Sequence, residues 1–348
     1  MDGQDRVDPS LQPRYRTSVQ QVTLAGLVAF TLFSLMNAPT LLRLVLRQPV
    51  GWWRSVELPL VHRLERVSHA LWLDRPRLAA DRALGRGFGT AATFDRLAAA
   101  NAQPRDADGT KLPPASADDP LDLWIIGDSQ ARRLGEALMR RALASGVMKA
   151  TVDSRLATGL SRSDYFDWPS TIQTFVESNR PDAVVTIFGA NDPQTLQLDT
   201  GVFAAGDSGW LEEYSRRTDI VMSYFERQGI RVYWIGQPIS SRVVLTRRMR
   251  EENAIYAERA SMHPNTVYIP LWELFLDADG RYASYLRDGE GALVQMRTDD
   301  GVHLTRAGAE RAADVIFPRI VADLPQGKDE GASHESRVMR GRFSRNGP

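Results

Sequence analysis

Short apolar runs alternate with helix-length amphipathic stretches over residues 121–324. Apolar runs of strand length lie at residues 121–126, 150–152, 183–188, 232–235 and 267–269. Stretches with helical spacing of apolar residues lie at 131–144, 169–178, 210–228, 243–262 and 306–324. Because short connections join alternating strands and helices, the pattern predicts a parallel sheet covered by helices on both faces. The expected fold class is α/β, a flavodoxin-like three-layer α/β/α domain with a central parallel sheet.

A segment without charged residues lies near the amino terminus, at residues 17–42, and its middle (22–36) is almost entirely apolar. A helix of about 20 apolar residues is long enough to cross the hydrocarbon core of a membrane. The sequence therefore predicts one transmembrane signal-anchor at residues 19–42, preceded by a polar arm at 1–18. The alternative is a cleaved signal peptide, but the Met-Asn-Ala-Pro at 36–39 is a poor cleavage site.

Three further segments flank or precede the predicted sheet domain. Residues 43–100 mix apolar and charged positions, which predicts amphipathic helices near the membrane. Residues 101–120 are polar and proline-rich, which predicts a linker, and the polar residues 325–348 are expected to form a disordered tail. Arginines flank the apolar segment equally on both sides, so their charge does not set its orientation.

Composition excludes several classes of function. The chain has 43 Lys and Arg against 43 Asp and Glu, so it lacks the basic field that a nucleic-acid partner needs. Cysteine is absent, which excludes disulfides, thiolate metal sites, iron–sulfur clusters and cysteine nucleophiles. The histidines show no metal-ligand spacing. We therefore expect no metal and no cofactor.

Three motifs carry reactive side chains at the carboxyl end of a predicted strand or just before a predicted helix. Ser129 follows the first strand, where its hydroxyl is either a nucleophile or a helix cap. Asn191 follows the third strand, where its amide either binds a developing oxyanion or serves a turn. Asp300 stands three residues before His303, and the pair forms either a catalytic base with its orienting carboxylate or an ordinary loop contact. Ligands of such sheets bind beyond the carboxyl ends of the strands, so the motifs are expected to converge there.

Together, these motifs resemble the SGNH/GDSL hydrolase superfamily of serine esterases and acyltransferases. Residues 127–129 match its first block, residues 189–192 its third and residues 300–303 its fifth. The resemblance covers residues 121–324 and includes the order of strands and helices. It is greatest with a membrane-anchored bacterial branch whose substrates are poorly defined.

The resemblance implies a role for each matching residue. Ser129 would be the nucleophile, His303 the base and Asp300 the carboxylate that orients the histidine, as a Ser-His-Asp triad. The backbone N–H groups of Ser129 and Gly159 and the side chain of Asn191 would form the oxyanion hole. Gly159, in the loop after the second strand, is the natural candidate for the glycine of the second block.

One position departs from the family pattern and puts the shape of the pocket in doubt. Gln130 stands where the family usually has leucine or a small residue after the serine. Candidate substrate-binding residues at this rim are Asp128, Gln130, Tyr165 and Trp168. The aromatic residues of the loop at 161–168 either stack on sugar faces or pack within the loop.

The leading hypothesis is a membrane-anchored serine esterase that acts on an ester-bearing small molecule, glycan or lipid, such as O-acyl groups of cell-envelope glycans. One alternative is an O-acetyltransferase on envelope polysaccharide, because a sugar hydroxyl can replace water in resolving the acyl-enzyme. A second alternative is a catalytically idle scaffold of envelope assembly. The expected location is the bacterial inner membrane, single-pass, with the catalytic domain on the periplasmic side. Protein partners and oligomeric state are left open.

Overall fold

The computed structural model describes residues 18–47, 52–83, 90–100, 110–163, 165–198 and 201–325. The chain divides into two compact units, Met1–Gly87 and Phe88–Pro348. Several predicted segments fall wholly or partly outside the described residues. These include the polar arm before residue 18, parts of the membrane-proximal segment (48–51 and 84–89), the first part of the linker (101–109) and the tail after residue 325 that is predicted to be disordered.

The described part of the first unit consists of helices. They are α1 (Val19–Met36), α2 (Ala38–Arg47), α3 (Trp52–Ala70) and α4 (Arg75–Ala83). Ser18 caps α1 in a capping box, in which its Oγ accepts from the N–H of Gln21. Among the described residues, α1 is the one helix long and apolar enough to cross a membrane, a criterion that a signal sequence also meets.

The second unit contains a parallel sheet between helices. Its elements are α5 (Thr90–Ala99), β1 (Leu121–Gly127), α6 (Ser129–Ala144), β2 (Met148–Ser154), α7 (Trp168–Asn179), β3 (Ala183–Ile187), β4 (Leu196–Leu198), β5 (Gly201–Phe203), α8 (Ser208–Arg227), β6 (Arg231–Ile235), α9 (Val243–Ala260), β7 (Thr266–Ile269), a 3₁₀ helix (Trp272–Phe275), β8 (Tyr285–Arg287), β9 (Leu293–Gln295) and α10 (Arg306–Ala322). Five strands pair in parallel in the order β2-β1-β3-β6-β7, which is the flavodoxin-like order. The predicted α/β fold class is confirmed.

The sheet separates two hydrophobic cores. Successive side chains of a strand point to opposite faces, and β1 is apolar at nearly every position because both of its faces are covered. Leu123 and Ile125 pack with apolar residues of α6 and α10. Trp124 and Ile126 pack with residues of α5, α7, α8 and α9. Burial on both sides fixes the register of β1, and with it the position of the loop that follows.

Some elements differ from the sequence prediction. The antiparallel pairs β4–β5 and β8–β9 have strands of three residues, too short for a periodic signal. Helix α5 falls within the predicted membrane-proximal segment 43–100, yet it belongs to the second unit. Its Phe94 and Leu97 are buried in the core that contains α7, α8 and α9, and Arg227 Nη2 donates to the Leu97 carbonyl at 3.0 Å. Burial of this apolar stripe explains why α5 packs with the sheet domain.

Candidate active site

Ser129 lies at the sharp turn between β1 and α6. Gly127 makes this turn possible, because its φ is +152° and a Cβ at this position would lie 2.0 Å from the carbonyl oxygen of Ile187. Asp128 caps α6 by accepting from the N–H of Gln130 at 2.8 Å. Its other oxygen accepts from the N–H of Ala190 at 2.9 Å, which ties the turn to the loop after β3. Ser129 is thereby held as the first residue of α6, at the carboxyl edge of the sheet.

The structure brings Ser129, His303 and Asp300 into one chain of hydrogen bonds. His303 Nε2 lies 2.7 Å from Ser129 Oγ, and His303 Nδ1 lies 2.5 Å from Asp300 Oδ2. Because a carboxylate can only accept, Nδ1 carries the proton that is donated to Asp300. Nε2 of the neutral ring then accepts the hydroxyl proton of Ser129. The arrangement is competent for general-base activation of the serine.

Asp300 is held as an anion by its surroundings. Burial acts to raise its pKa, but hydrogen bonds from His303, Val302 and Thr298 prevail and place the pKa well below the usual range. The two backbone N–H groups lie 2.8 Å (Val302) and 3.0 Å (His303) from Asp300 Oδ1, and Thr298 Oγ1 lies at 2.7 Å. The neighbouring Asp299 does not contact the histidine, and its Oδ1 accepts from Gln295 instead.

Besides Ser129, the two residues predicted for the oxyanion hole follow the two strands that flank β1. Gly159 is in the loop after β2, and Asn191 follows β3. Asn191 Nδ2 donates to the carbonyl of Thr158 at 3.2 Å, so its amide contacts the residue that precedes Gly159. A Cβ on Gly159 would lie 2.3 Å from Asp192 Oδ1. Close packing against Asp192 therefore requires glycine at this position.

Trp168, a predicted substrate contact, lies behind this loop and is fully buried. Its Nε1–H donates to Thr158 Oγ1 at 3.0 Å, and Thr158 Oγ1 in turn donates to the carbonyl of Arg155 at 2.7 Å. Trp168 thus supports the loop that carries Gly159, and its side chain has no face open to a substrate. The interpretation that the aromatic ring packs within the protein agrees with the structure at this position.

A buried acid cluster, formed by Asp128, Asp192, Glu252, Tyr214 and Tyr256, lies behind the turn and the loop after β3. Asp192 Oδ2 accepts from Tyr214 OH at 2.8 Å, and the Tyr214 and Tyr256 hydroxyls lie 2.6 Å apart. Neither carboxylate oxygen of Glu252 has a hydrogen-bond partner among the described residues. All five side chains belong to residues that are at most 1% exposed.

Burial raises the pKa of each carboxyl group in this cluster. It raises the pKa of Asp128 to about 7, against the opposing effect of its backbone hydrogen bonds. It also raises the pKa of Asp192, and it raises the pKa of Glu252 well above the usual value. The negative charges of Asp192 and Asp128 add to the shift at Glu252. Burial therefore acts against the charged form of each carboxyl group in the cluster.

A cavity of about 300 Å³ opens at the triad. Its lining residues are Ser129, Gln130, Arg132, Arg133, Leu156, Thr298, Asp300, His303 and Leu304. Of the four predicted substrate contacts only Gln130 lines this cavity, and it is largely buried because its Nε2 donates to the carbonyl of Val302 at 2.7 Å. Asp128 is fully buried, and the exposed Tyr165 stacks with Arg162 outside the cavity. Asp128 and Trp168 were candidate substrate contacts, but both are buried. They support the turn and the loop of the site instead.

The described part of the chain contains no group of three or more His, Asp or Glu side chains that could hold a metal. Two histidines outside the triad have acidic neighbours. His69 Nδ1 lies 2.9 Å from Asp74, and His263 lies between Glu226 and Asp219 at 2.6 and 3.1 Å. The expectation that the protein needs no metal or cofactor stays a prediction.

Comparison with known families places the sheet domain. The model of the family described as "Protein of unknown function (DUF459)" matches residues 122–319, more than half of the chain. The chain belongs to the DUF459 family. This match spans the turn of Ser129, the loop of Asn191 and the loop of Asp300 and His303. The description of the family assigns no activity, and no curated protein matches the DUF459 chain.

Solved structures similar to this DUF459 protein include three groups of enzymes. The catalytic domain of the Streptococcus pneumoniae peptidoglycan O-acetyltransferase OatA is 17% identical, with 59% of this chain and 94% of that chain covered and a TM-score of 0.39. The hydrolase LAE5 from the Lake Arreo metagenome is 18% identical (59% and 97% covered, TM-score 0.42). A variant of the acetylxylan esterase Axe2 from Geobacillus stearothermophilus is 15% identical (62% and 99% covered, TM-score 0.42). These values are too low to carry an activity over to the DUF459 chain.

Several residues of the DUF459 site were missed by sequence reasoning. Arg297 is fully buried, and its Nη1 and Nη2 donate to the carbonyls of Ile239 and Val302 at 2.6 and 2.5 Å. It holds the loop of the catalytic histidine candidate, but a single arginine before that loop gives no recognisable signal. Arg132 and Arg133 line the cavity, and their spacing of three and four residues from Ser129 is a signal that was available.

Proposed function

We propose that this DUF459 protein is a serine esterase of the SGNH type that hydrolyses short acyl esters. The observation that carries the proposal is the hydrogen-bonded chain of Ser129, His303 and Asp300 at the mouth of a cavity. A helix cap alone would not need His303 within 2.7 Å of Ser129 Oγ, nor an anionic carboxylate on the far side of the ring.

In the acylation step, Ser129 Oγ forms a bond to the acyl carbonyl carbon while its proton moves to His303 Nε2. Asp300 stabilises the resulting imidazolium through Nδ1–H. The oxyanion is stabilised by the backbone N–H groups of Ser129 and Gly159 and by the Asn191 amide. The ester C–O bond then breaks, and His303 gives its proton to the leaving alcohol.

In the second step, water attacks the acyl group on Ser129, and His303 takes the proton of the water. Collapse of this intermediate releases the carboxylic acid and returns the proton to Ser129 Oγ. If a sugar hydroxyl takes the place of water, the same residues perform acyl transfer. The release of free acid in the absence of an acceptor distinguishes hydrolysis from obligate transfer.

The dimensions of the cavity favour a short acyl group. A volume of about 300 Å³ lies at the lower end for small-molecule sites. Leu156, which is 57% exposed and lines the cavity, offers an apolar surface to an acyl methyl group. We therefore propose O-acyl groups of cell-envelope glycans as substrates, in preference to long-chain lipid esters.

The test is a comparison of Ser129→Ala with wild type and with Ser178→Ala, a serine exposed on α7. Full-length protein in detergent is assayed for 4-nitrophenyl acetate and 4-nitrophenyl palmitate hydrolysis and for labelling by a fluorophosphonate. We expect wild type and Ser178→Ala to cleave the acetate faster than the palmitate and to be labelled. Ser129→Ala should lose about 10⁴-fold or more in rate and all labelling. A wild type that is neither labelled nor active would instead favour the idle scaffold.

The location of the domain is part of the proposal. The apolar helix α1 is long enough for a membrane anchor, and none of its residues is buried against the rest of the described chain. We propose that it anchors the protein in the bacterial inner membrane, single-pass, with the esterase domain in the periplasm. Alkaline phosphatase fused to the carboxyl end should be active, and a fluorescent protein that matures only in the cytoplasm should be dark. The reverse pattern would place the domain inside.

A further inference from the structure

Two arginines stand beside the nucleophile on the first turns of α6. Arg132 and Arg133 follow Ser129 by three and four residues, so helical geometry places them next to it on the same side of the helix. Both side chains are exposed, and both line the cavity that opens at the triad. Their guanidinium groups are therefore within reach of a molecule whose ester carbonyl lies at Ser129.

These arginines lack the partners that other arginines of the same helix have. Arg140 lies 2.5 Å from Glu310, and Arg141 lies 2.8 Å from Asp314, both at the far end of α6. Neither Arg132 nor Arg133 forms an ion pair or a side-chain hydrogen bond with any residue in the described ranges. The end of α6 beside the nucleophile thus carries two cations that no side chain in the described part of the chain pairs with.

Asp300, the acidic residue that lines the cavity, offsets only part of this charge, because its single negative charge faces two guanidinium groups. Asp300 directs one oxygen to the His303 ring and the other to two backbone N–H groups and the Thr298 hydroxyl. The amino-terminal end of α6 adds the partial positive charge of its free N–H groups. The cavity therefore has an excess of positive charge on the side of the two arginines.

An exposed guanidinium next to a reaction site has a specific chemical preference. Its planar fork of donors matches the two oxygens of a carboxylate or a phosphate. From this geometry we infer that Arg132 and Arg133 form a subsite for an anionic group of the substrate, beside the acyl ester. The inference rests on the proposed esterase function and specifies its substrate class as O-acyl esters of acidic glycans.

The kinetic test compares acidic and neutral esters of the same size. Acetylated glucuronic acid carries a carboxylate, acetylated glucose 6-phosphate carries a phosphate, and acetylated glucose is neutral. Wild-type kcat/KM should be at least about tenfold higher for an acidic ester than for the neutral one, as expected for charge-assisted hydrogen bonds. The ratio of the two acidic esters identifies the source of the anion.

Variants assign this preference to the two arginines. Arg132→Gln and Arg133→Gln should each lower kcat/KM for the preferred acidic ester about tenfold and change the neutral ester less than about twofold. The control, Arg319→Gln, removes an exposed arginine from the last turn of α10, and it should behave as wild type. Equal losses on acidic and neutral esters in Arg132→Gln and Arg133→Gln would overturn the subsite.

A binding measurement keeps the subsite separate from the esterase proposal. The Ser129→Ala protein is titrated by calorimetry with oligoglucuronate, with inorganic phosphate and with a neutral glucose oligomer of equal length. We expect the acidic probe to bind at least about tenfold more tightly, and the addition of Arg132→Gln and Arg133→Gln to abolish the difference. If no ester is hydrolysed, the proposed function fails and this titration still decides the subsite. Equal binding of acidic and neutral probes would refute it.

Discussion

Two polar clusters meet at the carboxyl ends of β1 and β3, and their environments are opposite. The triad is partly open to solvent, with 38% of the Asp300 side chain and 39% of the His303 side chain exposed, and each member has a hydrogen-bond partner. The buried acid cluster behind it is closed to solvent, and it includes the carboxyl group of Glu252, which has no hydrogen-bond partner among the residues that the structure describes. Proton transfer is possible in the first cluster, whereas the second is arranged to hold loops in place.

The same short motifs supply residues to both clusters. In the turn after β1, Asp128 enters the buried acid cluster and the next residue, Ser129, enters the cavity. In the loop after β3, Asn191 contacts the loop of Gly159, and the next residue, Asp192, is buried and binds Ser161 and Tyr214. Substitutions in the triad should therefore change the rate of catalysis, and substitutions in the buried acid cluster should change stability.

The largest effect on the rate should come from substitutions in the triad. His303→Ala and Asp300→Ala should each lower kcat by about 10⁴-fold or more, and the double variant should be no slower than the slower single variant, since the triad acts as a unit. Urea unfolding should show little change for His303→Ala, whose side chain is partly exposed. Asp300→Ala also removes the acceptor of four hydrogen bonds, and it should lower the free energy of unfolding by about 1–3 kcal/mol. The control is Asp299→Ala, which removes the adjacent carboxylate that accepts from Gln295. If Asp300→Ala kept full activity and Asp299→Ala lost it, then Asp299 and not Asp300 would be the residue that orients His303.

The second-largest effect should come from Gly159, which packs against Asp192 of the buried acid cluster. Gly159→Ala places a Cβ 2.3 Å from Asp192 Oδ1, and burial of Asp192 leaves its side chain nowhere to move. The loop must shift, and loss of one aligned oxyanion donor should lower kcat by about 10²-fold. Gly289→Ala, where a Cβ meets no atom within 4 Å, is the matched control in the steady-state assay. Equal rates in both variants would separate Gly159 from the oxyanion hole.

The sheet and the positions of the reactive residues could largely be predicted from the sequence. The three central strands, β1, β3 and β6, are largely apolar runs buried on two faces. The reactive residues follow β1, β2 or β3 or precede α10, so local patterns located them. Ser129, Asp300 and His303 could be predicted together as a candidate triad because their motifs resemble those of a known family.

The sequence could not predict which residues of each motif face the cavity and which are buried. Nothing local distinguishes the side chain of Asp128, which caps α6 and is fully buried, from a carboxylate at the rim. For Trp168 the sequence left both substrate contact and packing open, and packing of α7 against the sheet buries its ring. Glu252 and Tyr256 reach the loop after β3 from α9, more than sixty positions further along the chain. Contacts of this kind depend on tertiary packing, which single-sequence patterns do not contain.

The smallest effect should come from the buried acid cluster and should appear as a dependence of stability on pH. Glu252 has a pKa raised by burial, with Asp192, Asp128 and Glu251 adding to it, so the folded state keeps a proton that the unfolded state releases near pH 4.5. The free energy of unfolding should therefore fall as pH rises from about 5 to 8, by at most about 1.4 kcal/mol per pH unit for each such proton.

Glu252→Gln keeps a neutral side chain of the same shape and should show a shallower fall in the free energy of unfolding, measured with urea at pH 5, 6, 7 and 8. Glu258→Gln, on the exposed side of α9, should follow the wild-type curve. Parallel curves for wild type and Glu252→Gln would mean that Glu252 is ionised in the folded protein.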